Sequence, residues 1–277
     1  MGQGIAVTCA AAGLDVLLRE QSPERGRESL AEIDELLDRD IAKWRRTESE
    51  KKAILARLRL VADLAALEAA EIVIEAVPEN LELKTAIFRE LDQACPPEDI
   101  LATNTSTLSV TEIGARTHRP DRVIGLHFLY PVPKVPLVEV VRGLSTSDAT
   151  FRSALEFVRV LGKTGVEVFE YPGYVTTRVM LPFLNEAMHV VMEGVASAEA
   201  VDTSMKLGYG LPVGPLALAD RMGLDEVMRW MQHLFAELGD VKYRPCPLLR
   251  KMIRAGQLGV KAGKGFFEYD ANGELRN

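Results

Sequence analysis

Short apolar runs alternate with amphipathic stretches through residues 1–171 of the chain. The runs are bounded by turn or charged residues, as is typical of buried parallel strands, and they are DVLLRE, EIVIEAV, DILATNTS, RVIGLHF and GVEVFE. Between two of them, NLELKTAIFRELDQAC places Leu83, Ile87 and Leu91 on one helix face. This alternation of strands and helices predicts a doubly wound α/β sheet.

One charged segment, residues 24–59, interrupts the alternation. Its helical spacing predicts two helices broken near RRTESE. The second part is basic, through Lys43, Arg45, Arg46, Lys51, Lys52, Arg57 and Arg59. A solvated helical hairpin accounts for this composition, and so does an arm that contacts an anionic group.

The pattern changes at EYPGYVTTR, where Pro172 and Gly173 end the last predicted strand. The stretches that follow have helical periodicity and capping residues, and they include VMLPFLNEAMHVVMEG, SAEAVDTSMKLG, GPLALADRMGLDEVMRWMQHLFAEL and PLLRKMIRAGQLG. We therefore predict two domains, an α/β domain over residues 1–171 and an all-α domain over residues 172–277.

Composition narrows the possible environments and partners of the chain. Its net charge of −7 argues against nucleic acid as the main partner, because phosphate binding requires a basic surface. The cysteines, Cys9, Cys95 and Cys246, are too few and too widely spaced for a disulfide framework or a zinc site, and the four histidines are scattered. We expect a cytoplasmic protein without a bound metal, a signal peptide or a membrane span.

Polar residues at strand ends are candidates for binding a cofactor or substrate. Glu20 ends the run DVLLRE, where an acid can bind a ribose 2′-hydroxyl and would favour NAD over NADP, although a solvated glutamate is the commoner situation. In ATNTST, Asn104 and Ser106 can hydrogen-bond a substrate oxygen or a cofactor amide. Capping of the next helix explains these two residues equally well.

A histidine and a carboxylate lie in consecutive apolar runs of RVIGLHFLYPVPKVPLVEVV. A turn between the runs can bring His127 and Glu139 together as a general base and the carboxylate that orients it. A lone histidine in an apolar run is more often a satisfied core residue. The position of His127 at the carboxyl end of a strand favours the functional interpretation, because ligands bind at that edge of α/β sheets.

Taken together, these segments resemble the 3-hydroxyacyl-CoA dehydrogenase family, which includes 3-hydroxybutyryl-CoA dehydrogenases. The family patterns M-G-x-G-I-A-x-x-x-A-x-x-G, V-I-E-A-x-x-E-x-x-x-x-K and N-T-S-S-L are similar to MGQGIAVTCAAAG, VIEAVPENLELK and NTSTL. The pattern G-x-H-F-F-N-P-x-x-x-x-L-V-E-V is similar to GLHFLYPVPKVPLVEV. The segments MKLGYGLPVGPLALADRMGLD and KYRPCPLLRKMIRAGQLGVKAGKGFFEY resemble the family's dimerisation domain.

The resemblance implies a Rossmann domain, a helical domain that forms a homodimer, and oxidation of an L-3-hydroxyacyl thioester by NAD. His127 matches the family's catalytic base and Glu139 its orienting carboxylate. Ser106 matches the serine that contacts substrate and nicotinamide. On this basis His127 takes the proton of the 3-hydroxyl while hydride leaves C3.

The resemblance also assigns residues to the cofactor and to coenzyme A. Gly2 matches the last glycine of G-x-G-x-x-M-G, and the cofactor pyrophosphate is expected over the helix that starts there. Glu20 matches the ribose-binding acid, and Glu79 and Lys84 match a cofactor-side pair. The basic arm within residues 24–59 matches a helical hairpin that clamps coenzyme A.

A central strand of the family's sheet has no counterpart in the sequence. MGQGIAVTCAAAGLDVLLRE predicts a helix and then a strand, whereas a glycine-rich helix start normally follows a strand. Omitting that strand would cost several kcal/mol at roughly 25 cal/mol per Å² of exposed apolar surface. We expect the codons upstream of Met1 to encode an apolar strand followed by G-x-G.

Two residues at the substrate depart from the family pattern. Tyr130 replaces the asparagine of H-F-F-N-P, and Thr177 stands where the asparagine of P-G-F-x-x-N-R contacts the substrate. Threonine lacks the two amide donors of asparagine. Ordinary drift explains both changes, but their shared location slightly favours an altered acyl group or carrier.

The sequence thus predicts an NAD-dependent dehydrogenase that interconverts L-3-hydroxyacyl-CoA and 3-ketoacyl-CoA with short acyl chains. One alternative is the same chemistry on an acyl-carrier-protein thioester in a specialised pathway. Another is a dimer that binds NAD or thioesters without turnover.

Overall fold

The chain divides into two compact units, Met1–Tyr171 and Pro172–Asn277. The structure is a computed structural model that describes residues 1–276, without the side chain of residue 68. The strands of the first unit are β1 (Val16–Arg19), β2 (Leu58–Val61), β3 (Ile72–Glu75), β4 (Ile100–Thr103), β5 (Val123–Phe128), β6 (Leu137–Arg142) and β7 (Thr164–Phe169). Its helices are α1 (Gly2–Ala11), α2 (Pro23–Ala42), α3 (Glu48–Ala56), α4 (Leu81–Ala94), α5 (Val110–Gly114) and α6 (Asp148–Val160).

Five of these strands form one sheet in the order β3-β4-β5-β6-β7. Its first three strands are parallel, β6 runs antiparallel to β5, and β7 is parallel to β6. The carboxyl ends of β3, β4 and β5 therefore lie at one edge of the sheet, and β6 begins at the same edge. The predicted α/β architecture is confirmed, and this edge of the sheet brings Asn104, His127 and Glu139 together.

A separate two-stranded sheet consists of β1 and β2 in parallel. Among the described residues, β1 and β3 each have one edge without a ladder partner. Val16 of β1 and Ile72 of β3 nevertheless pack against the same apolar cluster, which contains Ile5 and Cys9 of α1.

The helical hairpin of the charged segment is present, but it is shorter than the sequence predicts. Helices α2 and α3 end at Ala42 and Ala56, whereas Leu58 and Arg59, which the prediction included in the arm, belong to β2. The run LRLV is too short and too charged to signal a strand, and pairing with β1 forms it. Leu58 thereby becomes buried against Ile33 and Leu37 of α2.

Several basic residues of the hairpin already have partners inside the chain. Lys51 bridges Asp34 and Asp38 and so ties α3 to α2, and Arg57 pairs with Asp15. The hairpin is thus an ordered element held by apolar packing and surface ion pairs. Its uncommitted positive charge is smaller than the sequence composition indicates.

The second unit is helical and consists of α7 (Thr176–Met192), α8 (Ala198–Tyr209), α9 (Pro215–Met222), α10 (Leu224–Leu238) and α11 (Pro247–Arg254). These helices enclose one apolar core, which includes Leu181, Leu216 and Met231. The buried carboxylate of Asp202 accepts hydrogen bonds from the backbone N–H groups of Leu216 and Ala217 at the start of α9. It satisfies donors that a helix start leaves without intrahelical partners.

Candidate active site

A buried histidine–carboxylate pair lies where β5 and β6 meet. His127 and Glu139 are directly opposite each other in the antiparallel ladder, so their side chains point to the same face. The imidazole Nδ1 lies 2.6 Å from Glu139 Oε2, and the two residues are 3% and 1% exposed. The contact that the sequence predicts between these residues is present in the structure.

The geometry of this pair fixes the chemical form of the imidazole. When Nδ1–H donates to the Glu139 carboxylate, the neutral ring carries its lone pair on Nε2. The carboxylate also stabilises the imidazolium that forms when Nε2 accepts a proton. The pair has the chemistry of an oriented general base.

Asn104 links the end of β4 to the end of β5. Its side-chain oxygen accepts a hydrogen bond from the backbone N–H of Phe128, the residue after His127, at 2.8 Å. Its own N–H donates to the carbonyl of Glu75 at the end of β3. Asn104 therefore connects three adjacent strand ends and restrains the backbone that carries His127.

Glu79 organises the loop that presents Ser106. One oxygen, Oε1, accepts hydrogen bonds from the Thr105 hydroxyl at 2.6 Å and from the backbone N–H groups of Ser106 and Thr107 at 2.9 and 3.0 Å. Burial opposes the charge of this carboxylate, but the Lys84 ammonium and these donors outweigh burial and lower the pKa of Glu79. Glu79 is thus an ionised anchor for the Ser106 loop.

A second carboxylate, Glu75, pairs with Lys84 beneath that loop. The ammonium lies 2.7 and 3.0 Å from the two Glu75 oxygens, 3.2 Å from the Val77 carbonyl and 3.6 Å from Glu79. The Lys84 side chain is completely buried and that of Glu75 is 1% exposed. Lys84 was assigned from the sequence to the cofactor side, but its ammonium is enclosed by oxygens of the chain itself.

The sequence interpretation missed Glu75 and Thr103 as members of this cluster. Glu75 accepts from the Thr103 hydroxyl at 2.7 Å and from the backbone N–H of Val77 at 2.6 Å. The available signal was an acidic residue at the end of the apolar run IVIE. Such a charge in a buried strand requires a partner, and Lys84 in the following helix is the nearest basic residue in the sequence.

Two of the proposed cofactor residues, Gly2 and Glu20, lie at the start of α1 and the end of β1. Helix α1 begins at Gly2 without a side-chain cap, and a Cβ on Gly2 would come within 3.6 Å of the Ala76 Cβ. Glu20 directly follows β1, and one of its oxygens accepts a hydrogen bond from the Ser29 hydroxyl at 2.8 Å. An uncapped helix start and an oriented acid after the next strand fit the pyrophosphate and ribose of a dinucleotide.

Tyr130 and Thr177 lie in different units. Tyr130 is 74% exposed in the connection between β5 and β6, and a cis peptide bond joins it to Pro131. Lys163 holds this connection by donating to the carbonyls of Val132 and Val135 at 2.7 and 2.6 Å. Thr177 is the second residue of α7 in the second unit and is half-buried.

The described residues contain neither a candidate metal centre nor a helix able to span a membrane. No group of three or more His, Cys, Asp or Glu residues there could hold a metal ion. No helix in that part of the chain combines the length and the apolar character that crossing a bilayer requires. The three cysteines are buried and unbridged.

Comparison with known proteins extends the likeness over both units. Residues 1–171 match the NAD binding domain of 3-hydroxyacyl-CoA dehydrogenase, and residues 173–269 match its C-terminal domain. A probable 3-hydroxybutyryl-CoA dehydrogenase of Bacillus subtilis is 51% identical over 98% of this chain and 94% of its own length. The 3-hydroxybutyryl-CoA dehydrogenase of Clostridioides difficile is 43% identical over 98% of this chain and 96% of its own length.

Solved structures agree with these sequence matches. FadB2 of Mycobacterium tuberculosis superposes with a TM-score of 0.95 at 39% identity, covering 98% of this chain and 95% of its own. The (S)-3-hydroxybutyryl-CoA dehydrogenase PaaH1 of Ralstonia eutropha superposes with a TM-score of 0.91 at 44% identity, also covering 98% of this chain and 95% of its own. Both domain matches, the relatives and the histidine–glutamate pair lead to one conclusion: the chain belongs to the 3-hydroxyacyl-CoA dehydrogenase family.

Proposed function

We propose that this chain is an NAD-dependent dehydrogenase that interconverts L-3-hydroxyacyl-CoA and 3-ketoacyl-CoA, with short acyl chains such as 3-hydroxybutyryl. Membership of the family supports the activity, and the names of the relatives support the substrate. The observation that carries the proposal is the buried pair of His127 and Glu139 at the end of β5. A family member without turnover would not need to keep an imidazole oriented in this way.

The residues of the chain have distinct tasks in this reaction. His127 Nε2 takes the proton of the 3-hydroxyl group, and Glu139 holds the ring and stabilises the imidazolium. Ser106, on the loop anchored by Glu79, donates a hydrogen bond to the same substrate oxygen. Bound NAD would supply the hydride acceptor for C3 of the substrate.

The cofactor contacts follow from the residues around α1. Gly2 gives the pyrophosphate access to the backbone N–H groups at the start of α1, and Glu20 accepts from the ribose hydroxyl. Asn104, whose side-chain oxygen restrains the end of β5, also contacts the cofactor through its side-chain amide. Glu79 and Lys84 support the site as positioning residues, since their polar atoms contact the strand ends and the Ser106 loop.

The finer parts of the proposal concern substrate, assembly and location. Tyr130 and Thr177 contact the acyl thioester, and the hairpin of α2 and α3 contacts coenzyme A. The chain acts as a homodimer, by analogy with the family's dimerisation domain. It works in the cytoplasm, where three buried unbridged cysteines suit a reducing environment.

The test is NADH oxidation with acetoacetyl-CoA by the wild type and by His127→Gln. We expect His127→Gln to lower kcat by about 10² to 10⁴-fold and to retain NADH binding, measured by fluorescence titration. The control is His118→Gln, because His118 also pairs with a carboxylate, Asp92 at 2.7 Å, but its side chain is 96% exposed. Wild-type rates in both variants, or no turnover by the wild type, would refute the proposal.

A further inference from the structure

The tip of the hairpin between α2 and α3 carries an exposed tryptophan in an unusual backbone conformation. Trp44 has a φ of 55° and is 96% exposed. It follows the C-cap of α2, where its N–H donates to the carbonyl of Ile41 and the N–H of Arg45 donates to that of Asp40. This bond pattern is the Schellman ending of a helix, which places a left-handed residue at the position of Trp44.

The rest of the described chain closes the same motif with glycine. The same pair of backbone hydrogen bonds, with a positive φ, ends α1, α6, α7 and α11 at Gly13, Gly162, Gly194 and Gly256. Glycine adopts this conformation without a Cβ penalty, whereas a large side chain is strained there. Trp44 is therefore an unfavourable residue for the local fold, and such conflicts are expected at functional positions.

Contacts from both helices hold the backbone on either side of Trp44. On the far side of the turn, Thr47 and Glu50 form a capping box that starts α3. Arg45 and Arg46 both approach the Asp40 carboxylate at 3.7 Å. The backbone of the tip is thus fixed from both helices, so a ligand that stacks on the indole meets a pre-ordered surface.

Cationic side chains stand on both sides of the indole in the sequence. These are Lys43, Arg45 and Arg46; Asp40 approaches both arginines, and the charge of Glu50 also acts on Arg46. An exposed flat ring with cations beside it has the chemistry that binds a purine carrying phosphates. The substrate class of the proposed function contains such a group, the adenosine bisphosphate end of coenzyme A.

We infer that Trp44 stacks on the adenine ring of the acyl-CoA substrate and contributes to the distinction between CoA thioesters and thioesters without a nucleotide. The inference rests on the proposed function. Stacking of a base on an aromatic side chain is sufficient to change affinity by about tenfold. The contribution lies in binding, so KM for the CoA thioester changes and kcat does not.

The test uses Trp44→Gly, which supplies the residue that the Schellman ending favours. Two substrates are compared, acetoacetyl-CoA and acetoacetyl-N-acetylcysteamine, which lacks the nucleotide. We expect the KM for acetoacetyl-CoA to rise about tenfold relative to the KM for the short thioester. We also expect a thermal unfolding midpoint at or above that of the wild type. Trp44→Phe should recover part of the effect, and the control Leu144→Ala, at another exposed apolar residue, should match the wild type.

A binding measurement separates this inference from the proposed function. In a Trp230→Phe background, adenosine 3′,5′-bisphosphate should quench the fluorescence of Trp44. Absence of turnover with quenching intact would refute the proposed function and leave the stacking role supported. An unchanged KM ratio or no quenching would overturn the stacking role. A KM increase confined to acetoacetyl-acyl carrier protein would also overturn it.

Discussion

Replacing Lys84 by methionine removes the cation at the centre of the buried cluster and keeps most of the side-chain volume. The ammonium lies between Glu75 and Glu79 and contacts the Val77 carbonyl. Lys84→Met therefore leaves two carboxylates in the protein interior without their counter-charge. The other donors to these carboxylates, such as the Thr103 and Thr105 hydroxyls, stay in place.

The expected cost follows from the burial of the pair. Breaking a buried ion pair by removing one partner costs about 3 to 5 kcal/mol, because an uncompensated charge stays in the interior. For a domain of this size, each kcal/mol lowers the melting temperature by about 2 to 4 °C. We therefore expect Lys84→Met to melt about 10 °C below the wild type near neutral pH, measured by circular dichroism.

The matched control is Lys51→Met. Lys51 also bridges two carboxylates, Asp34 and Asp38, but their side chains are 45% and 55% exposed. Water can solvate those carboxylates once the lysine is removed, so we expect a much smaller loss. If the melting temperature of Lys84→Met equals that of the wild type, or is no lower than that of Lys51→Met, burial of the charge does not govern stability here.

The same variant has a pH signature through Glu79. The pKa of Glu79 is lowered in the folded chain, so its contribution to stability is present above the ordinary carboxyl pKa and is lost as the pH falls through the lowered value. Lys84→Met removes one cause of that lowering. When the stability of each protein is compared with its stability at neutral pH, the variant should lose the Glu79 contribution at a higher pH than the wild type. If the stability of both proteins decreases in the same way as the pH falls, the electrostatic argument is contradicted.

Two further predictions concern the reaction and the cofactor. Glu139→Gln keeps a polar side chain opposite His127 but removes the charge that stabilises the imidazolium, so kcat with acetoacetyl-CoA should fall by about 10² to 10⁴-fold. Unchanged kcat in that assay would exclude the orienting role. Glu20→Ala removes the acceptor for the ribose hydroxyl, so the dissociation constant for NADH should rise about tenfold or more, and the preference over NADPH should shrink. Fluorescence titration with both cofactors measures this, with Glu20→Asp as control, and equal affinity for NADH would exclude the contact.

Local sequence information was sufficient for the main elements and for the contact between His127 and Glu139. Both residues lie in apolar runs with clear boundaries, and a turn between consecutive strands allows few arrangements. Because one face of β5 and β6 packs in the core, the register is strongly specified, and it sets the two side chains opposite each other. The juxtaposition of these two side chains was therefore accessible from pattern alone.

The contacts that support the site depend on long-range pairing and were not accessible in the same way. Asn104 gives the same local signal whether it caps a helix or accepts from Phe128, and only the pairing of β4 with β5 decides. The strand β2 forms by pairing with β1, so its own sequence did not predict it. Lys84 lies on an amphipathic helix, where a lysine normally faces solvent, and the buried Glu75 beneath it reverses that expectation.

The carboxylates beneath the site have a common physical origin. Where parallel strands end together, the ladder stops and the backbone N–H groups of the following residues lose their regular acceptors. Glu75 accepts from Val77, and Glu79 accepts from Ser106 and Thr107. An apolar cluster of the same volume would leave these N–H groups unsatisfied, so the same turns that carry Ser106 require buried acceptors, which Glu75 and Glu79 supply. Lys84 then offsets the charge of the acids that supply these acceptors, and the hydrogen bonds that hold the Ser106 loop are ones that the fold must satisfy in any case.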